Sequence, residues 1–161
     1  ENRYEQLLNL DPNLTTDVVK RSIQIKAEIV SQDEKETRGI RTLLNYGHTI
    51  GHGLEAATGY HQLLHGEAVS IGMMGAGMIG NRMGITDGSI LERQLSILKK
   101  FDLPTSFKDI NIDSIKAAMS LDKKAVGSSI NWVLLPEIGH AVVNSNVDNT
   151  VVDNVLEELS S

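Results

Sequence analysis

Residues 45–67 read NYGHTIGHGLEAATGYHQLLHGE and hold four of the chain's five histidines and five of its fourteen glycines. His48 and His52 stand four positions apart inside a helical pattern, so both rings project from one face. The pattern predicts a helix from about Arg41 until Gly59 stops it, then the loop YHQLLHGE, then a second helix ending near Gly84. From His48 to Thr58 such a helix climbs about 15 Å, at about 1.5 Å per residue. The six steps from Gly59 to His65 reach up to about 20 Å when extended, at about 3.3 Å each. The loop can therefore fold back and set His65 alongside His48, so that three imidazoles meet. A helix, a returning loop and a second helix make the fold helical at its centre.

The flanks extend that reading. Upstream, after a turn at Asp11-Pro12-Asn13, Thr15 or Thr16 can cap a helix with Val19, Ile23, Ala27 and Val30 at helical spacing and Lys26 on the edge of the stripe. Downstream, Asp87 or Ser89 starts a helix through Leu91, Leu95 and Leu98, and Asp113 can cap another holding Ile115, Ala118 and Met119. SINWVLLPEIGHAVVNS has two short β-rich runs around Pro136-Glu137-Ile138-Gly139, the pattern of a hairpin. The tail NTVVDNVLEELS returns to helical spacing through Val151, Val155 and Leu159. The expected fold is mainly α, a single helical domain over residues 1–161 with one small β-hairpin.

Composition narrows the function. The 161 residues carry 15 Lys and Arg against 21 Asp and Glu, a net charge of -6 with the basic residues dispersed, which argues against a nucleic-acid partner. The longest apolar run, AVSIGMMGAGMIG, is shorter than the roughly 18 residues of a membrane span, and no signal peptide is visible; a soluble, cytoplasmic protein is expected. With no cysteine, a transition metal must be held by His, Asp or Glu.

Zinc suits neutral imidazole, and a catalytic zinc takes three protein ligands and an open position. Spacing alone therefore assigns His48, His52 and His65 together as ligands. Gly47, Gly51 and Gly53 either leave room for a substrate or let helices pack closely. Lys26, Arg41 and Asn45, just upstream, suit a substrate with carboxylate, phosphate and hydroxyl groups. GAGMIG, residues 75–80, matches a dinucleotide-binding pattern but follows a helix rather than a strand, and Thr49 stands where a metalloprotease helix needs Glu.

The stretch IKAEIVSQDEKETRGIRTLLNYGHTIGHGLEAATGYHQLLHGEAVSIGM, with DKK at 122–124 and WVLLPEIGHAVV, closely resembles the C-terminal, metal-binding domain of the 3-dehydroquinate synthases. The resemblance covers nearly the whole chain, and LLNYGHTIGHGLE with HGEAVSIGM is highly specific for that family and its sugar-phosphate cyclase relatives. It implies zinc or cobalt on this domain and NAD bound mainly by an N-terminal domain that this chain lacks. It implies the conversion of a seven-carbon keto-acid phosphate (DAHP) into 3-dehydroquinate in the shikimate pathway, by an enzyme that is typically a homodimer.

The same resemblance implies His48 and His65 as metal ligands and His52 as an acid–base and substrate-contacting residue, which replaces the spacing assignment of His52. Lys26, Arg41 and Asn45 are implied to bind carboxylate, hydroxyls or phosphate, and Lys26 is expected to be catalytic along with His52. Glu36 is implied to sit nearby, and Lys123 or Lys124 to reach the site. The third metal ligand is implied to be a glutamate ahead of Glu1, so the chain alone is expected to hold metal weakly and to be inactive. The rival expectations are another sugar-phosphate cyclase, a metal-dependent polyol dehydrogenase, or a non-catalytic helical module.

Overall fold

The structure, a computed structural model, describes residues 1–35, 37–126 and 130–160, with residues 122–126 described by backbone alone. The chain divides into two compact units, residues 1–44 and residues 45–161.

The first unit contains α1 (Tyr4–Leu8) and α2 (Pro12–Gln32). The cap of α2 is Asp11 rather than Thr15 or Thr16: its side chain accepts the Leu14 N–H at 2.8 Å. Pro12, which has no N–H to lose and a φ already suited to a helix, occupies the first helical position. The expected turn is thus the helix start. At the other end Asp33, only 3% exposed, folds the chain back on itself. Its carboxylate accepts the backbone N–H groups of Thr37, Arg38 and Ile40 at 2.9 Å each and lies 3.5 Å from that of Arg41. Burial pushes this carboxyl up, but the backbone donors together outweigh it and hold the group below its ordinary value of 3.8.

A 3-10 helix over Ile40–Asn45 follows, and the second unit then builds α3 (His48–Ala57), α4 (His65–Arg82), α5 (Gly88–Lys100) and α6 (Ile112–Val126). The single helix expected from Arg41 to Gly59 is therefore broken. Gly47 takes a left-handed φ of +80°, because its backbone abuts α4: a Cβ there would lie 2.7 Å from the Met73 nitrogen and 2.9 Å from the Val69 carbonyl oxygen.

Strands β1 (Trp132–Glu137) and β2 (His140–Asn144) form the expected antiparallel hairpin, followed by α7 (Asn149–Leu159). Trp132 pairs with Asn144, Val133 with Val143 and Leu134 with Val142; the ladder is then irregular until Glu137 meets His140. Pro136, which has no N–H to offer a ladder, lies in the irregular stretch. Asp87 caps α5 through the Ser89 N–H and Asp148 caps α7 through that of Thr150. For α6 the side chain of Asn111, not Asp113, accepts an N–H, from Ser114 at 3.0 Å.

α4 is the centre of this unit, packed against α3, α5, α7 and β1. Contact on so many sides explains its composition: ten of its positions are buried, among them Ala68, Gly72, Gly75, Ala76, Gly77 and Gly80. GAGMIG lies wholly inside this helix. Ile50, Leu54, Ile71, Ile79, Ile115, Leu134, Val155 and Leu156 are at most 1% exposed and form the middle of the core. Each such side chain contributes about 1.5–3 kcal/mol by leaving water. Among the described residues, no helix is long and apolar enough to cross a membrane.

Candidate functional site

α3 and α4 form an antiparallel pair, since Gly47 meets Val69 and Met73 whereas Gly51, further along α3, meets Ala68 and Val69. A Cβ on Gly72 would collide with the Gly47 carbonyl oxygen and lie 2.8 Å from the Gly51 nitrogen; one on Gly53 would lie 2.9 Å from the Met119 side chain of α6. Of the two uses expected for these glycines, close helix packing is the one they serve.

This packing sets the histidines. His48, His52 and Glu55 occupy positions i, i+4 and i+7 of α3 and so share a face, and His65 opens α4 beside them. The ring centroids lie 5.3 Å apart for His48 and His52, 5.5 Å for His48 and His65, and 6.0 Å for His52 and His65. The three imidazoles thus converge as the loop arithmetic allows. His61 is exposed outside the cluster, and His140 lies on the hairpin, 3.7 Å from Glu137.

Two of the rings are held from behind. His48 Nδ1 is 3.2 Å from the Tyr46 carbonyl oxygen, and His65 Nδ1 is 3.1 Å from Glu55 Oε1. A carbonyl can only accept, so the His48 contact is one in which Nδ1–H donates, and in a neutral ring that leaves Nε2 with a lone pair; a carboxylate oxygen beside His65 Nδ1 suits the same tautomer. His52, by contrast, has no ring hydrogen bond among the described residues. Glu55 is the residue that spacing arguments overlooked. Its place on the histidine stripe was visible in the sequence, and one ligand atom from each of His52, Glu55 and His65 lies within 4.8 Å of the others.

Behind His48 lies a polar anchor. Tyr46 donates its hydroxyl to Gln94 Oε1 at 2.5 Å, with the Met73 carbonyl 3.3 Å away, and Gln94 Nε2 donates to that carbonyl at 2.8 Å. Burial pushes the Tyr46 phenol far above its ordinary range, against the smaller lowering effect of Gln94, so this hydroxyl remains a donor.

The remaining expected site residues are dispersed over the two units. Lys26 is exposed on α2, and the Arg41 guanidinium donates to the Glu34 carbonyl at 3.4 Å; both belong to residues 1–44. Asn45 is exposed at the end of the 3-10 helix. Glu36 and the side chains of Lys123 and Lys124 lie outside the described residues.

Comparison with known proteins agrees with this architecture. Residues 1–125 match the family described as 3-dehydroquinate synthase C-terminal. The chain is 42% identical over 158 residues to a 3-dehydroquinate synthase of Coxiella burnetii (strain CbuG_Q212), covering 98% of this chain and 44% of that protein. It is 42% identical over 156 residues to that of Nostoc punctiforme, covering 96% and 43%. The chain thus spans less than half the length of these curated relatives. In fold it resembles a 2-epi-5-epi-valiolone synthase from Streptomyces hygroscopicus, solved with NAD+ and Zn2+ bound, at a TM-score of 0.83 and 24% identity over 98% of this chain and 44% of that one. A 2-deoxy-scyllo-inosose synthase complexed with carbaglucose-6-phosphate, NAD+ and Co2+ superposes at 0.71 with 28% identity, over 84% and 40%. The antiparallel helix pair, its converging imidazoles and these matches together establish that the chain belongs to the 3-dehydroquinate synthase C-terminal family.

Proposed function

We propose that the chain is the metal- and substrate-binding part of a 3-dehydroquinate synthase, which converts DAHP into 3-dehydroquinate and phosphate by NAD-dependent redox, phosphate elimination and aldol cyclisation. The observation that carries this reading is the difference among the three imidazoles: His48 and His65 have Nδ1 held by internal acceptors, whereas His52 does not. A metal-ligating histidine characteristically has its other ring nitrogen fixed in this way. We therefore assign His48 and His65 as ligands through Nε2 and leave both nitrogens of His52 for proton transfer. Imidazole donors fit zinc and cobalt alike. The third ligand is assigned to a glutamate outside this chain.

When bound, the metal would polarise substrate hydroxyls and NAD would accept and return a hydride. The protein's own residues orient the substrate and move its protons. Lys26, Arg41 and Asn45 take its carboxylate, phosphate and hydroxyl groups, assisted by Glu36 and by Lys123 or Lys124. His52 exchanges a proton with the hydroxyl that is oxidised. The chain works with an N-terminal NAD-binding domain in a cytoplasmic homodimer. Alone, this half of the site holds metal weakly and does not turn over. Identities of 42% to synthases favour this substrate over those of other sugar-phosphate cyclases or polyol dehydrogenases.

Assay of the full-length enzyme with DAHP, NAD and zinc tests the assignment. His48→Ala is expected to lose both metal and turnover. His52→Ala should keep its zinc and lose about 10²- to 10⁴-fold in kcat. Loss of zinc from His52→Ala would restore all three histidines as ligands, and an inactive but well-folded full-length protein would leave a non-catalytic module.

A further inference from the structure

We infer that Glu55 is the positioning residue for His65, fixing by its buried carboxylate the tautomer and orientation in which His65 reaches a metal ion through Nε2. The inference rests on the proposed role of His65 as a ligand but assigns a residue outside that ligand set.

Glu55 projects from the last turn of α3, and its side chain is only 10% exposed, whereas that of His65 is 59% exposed. A carboxylate removed from water needs a charge-assisted hydrogen bond to offset its lost hydration. Among the described residues the partner is His65 Nδ1, 3.1 Å from Glu55 Oε1. The dependence is mutual. The exposed ring would otherwise rotate and exchange its proton between two nitrogens; a buried, helix-borne acceptor holds that proton on Nδ1 by accepting its hydrogen bond and leaves the Nε2 lone pair for an ion. His48 has the same arrangement with a backbone carbonyl as its holder, so the two rings present the same nitrogen by different means. In metal sites such carboxylate–histidine pairs raise the basicity of the ligand, and their loss costs about 10- to 100-fold in metal affinity. Glu55 also lies close enough to His52 and His65 to share an ion with them directly. Its burial and its engagement with His65 favour the holding role, and the two roles differ in their mutational signatures.

The test uses the intact protein with Glu55→Ala and Glu55→Gln, zinc titration, and nitrogen NMR of isotope-labelled histidine in the metal-free state above neutral pH. The metal-free protein should show His65 in the Nδ1–H form, shifting toward Nε2–H in Glu55→Ala. Glu55→Gln, whose amide oxygen can still accept, should largely retain the Nδ1–H form. Zinc affinity should fall about 10- to 100-fold in Glu55→Ala, less in Glu55→Gln, with stoichiometry unchanged. On a His65→Ala background the Glu55 substitution should cost nothing further. An undisturbed tautomer in both variants would overturn the inference. So would an affinity loss that persists without His65, or one as large as that of His48→Ala, which would make Glu55 a ligand itself. Should the unaltered protein take up no zinc, the ligand assignment fails, while the NMR comparison still decides whether Glu55 holds His65.

Discussion

At the scale of single residues, much of the site depends on groups that never reach its surface. Gln94 is 5% exposed on α5 and holds the Tyr46 hydroxyl, while the Tyr46 carbonyl holds His48. Gln94→Leu would leave the buried hydroxyl with the Met73 carbonyl alone and remove the closer of the two side-chain donors to that carbonyl. It should destabilise the protein by about 1–3 kcal/mol in denaturant titration and weaken zinc binding without touching a ligand. Asp33 gives a prediction in pH. Its folded-state value lies below the ordinary 3.8, so its stabilisation is complete above that value and is lost as pH falls through the depressed one. Melting temperatures measured from neutral to strongly acidic pH should therefore drop less steeply in Asp33→Asn than in the unaltered protein, the two converging at the acid end. The three clustered histidines could be read from their spacing, because helical periodicity and loop reach are local properties. Gln94 and Asp33 could not: a glutamine inside an amphipathic helix and an aspartate in a charged run reveal their partners only once the chain has folded.

Between elements, the decisive contact is backbone against backbone. Gly72 on α4 lies directly against the Gly47 carbonyl and the Gly51 nitrogen, so the antiparallel helices meet without intervening side chains. Gly72→Ala gains about 1 kcal/mol in helix propensity. It also inserts a methyl where only main-chain atoms could yield, and overpacking of that kind costs about 3 kcal/mol. The collision wins, and the melting temperature should fall by about 4–8 °C, at about 2–4 °C per kcal/mol for a chain of this size. The helix boundaries show which rules carried. The hairpin around Gly139 followed from short-range chemistry and stands as read, and of the two expected starts for α5, Asp87 and Ser89, the first is the cap. The helix expected to run unbroken from Arg41 failed at Gly47, because nothing within the stretch itself announces that α4 presses on that residue. Asp11 displaced Thr15 and Thr16 as a cap, and Asn111 displaced Asp113, where several capping residues competed within a few positions.

Across the whole molecule, the hydrophobic core is built from residues 50–159, while α2 buries only Leu14. The mainly helical class was legible because most of that core is made by amphipathic helices; the division at Leu44 was not, since no shift of composition marks it. The histidine cluster itself is closed by short-range connections: His48 meets His65 seventeen positions on, Glu55 meets His65 after ten, and Tyr46 meets His48 after two. Loops that small close at little entropic cost and early, ahead of pairings that must wait for distant segments. A dissolved cation would thus encounter its grip while much of the chain is still unstructured. In stopped-flow experiments zinc should then quicken refolding itself, and His48→Ala should abolish the acceleration. An ion that joined only the finished molecule would instead slow unfolding and leave the forward rate unchanged.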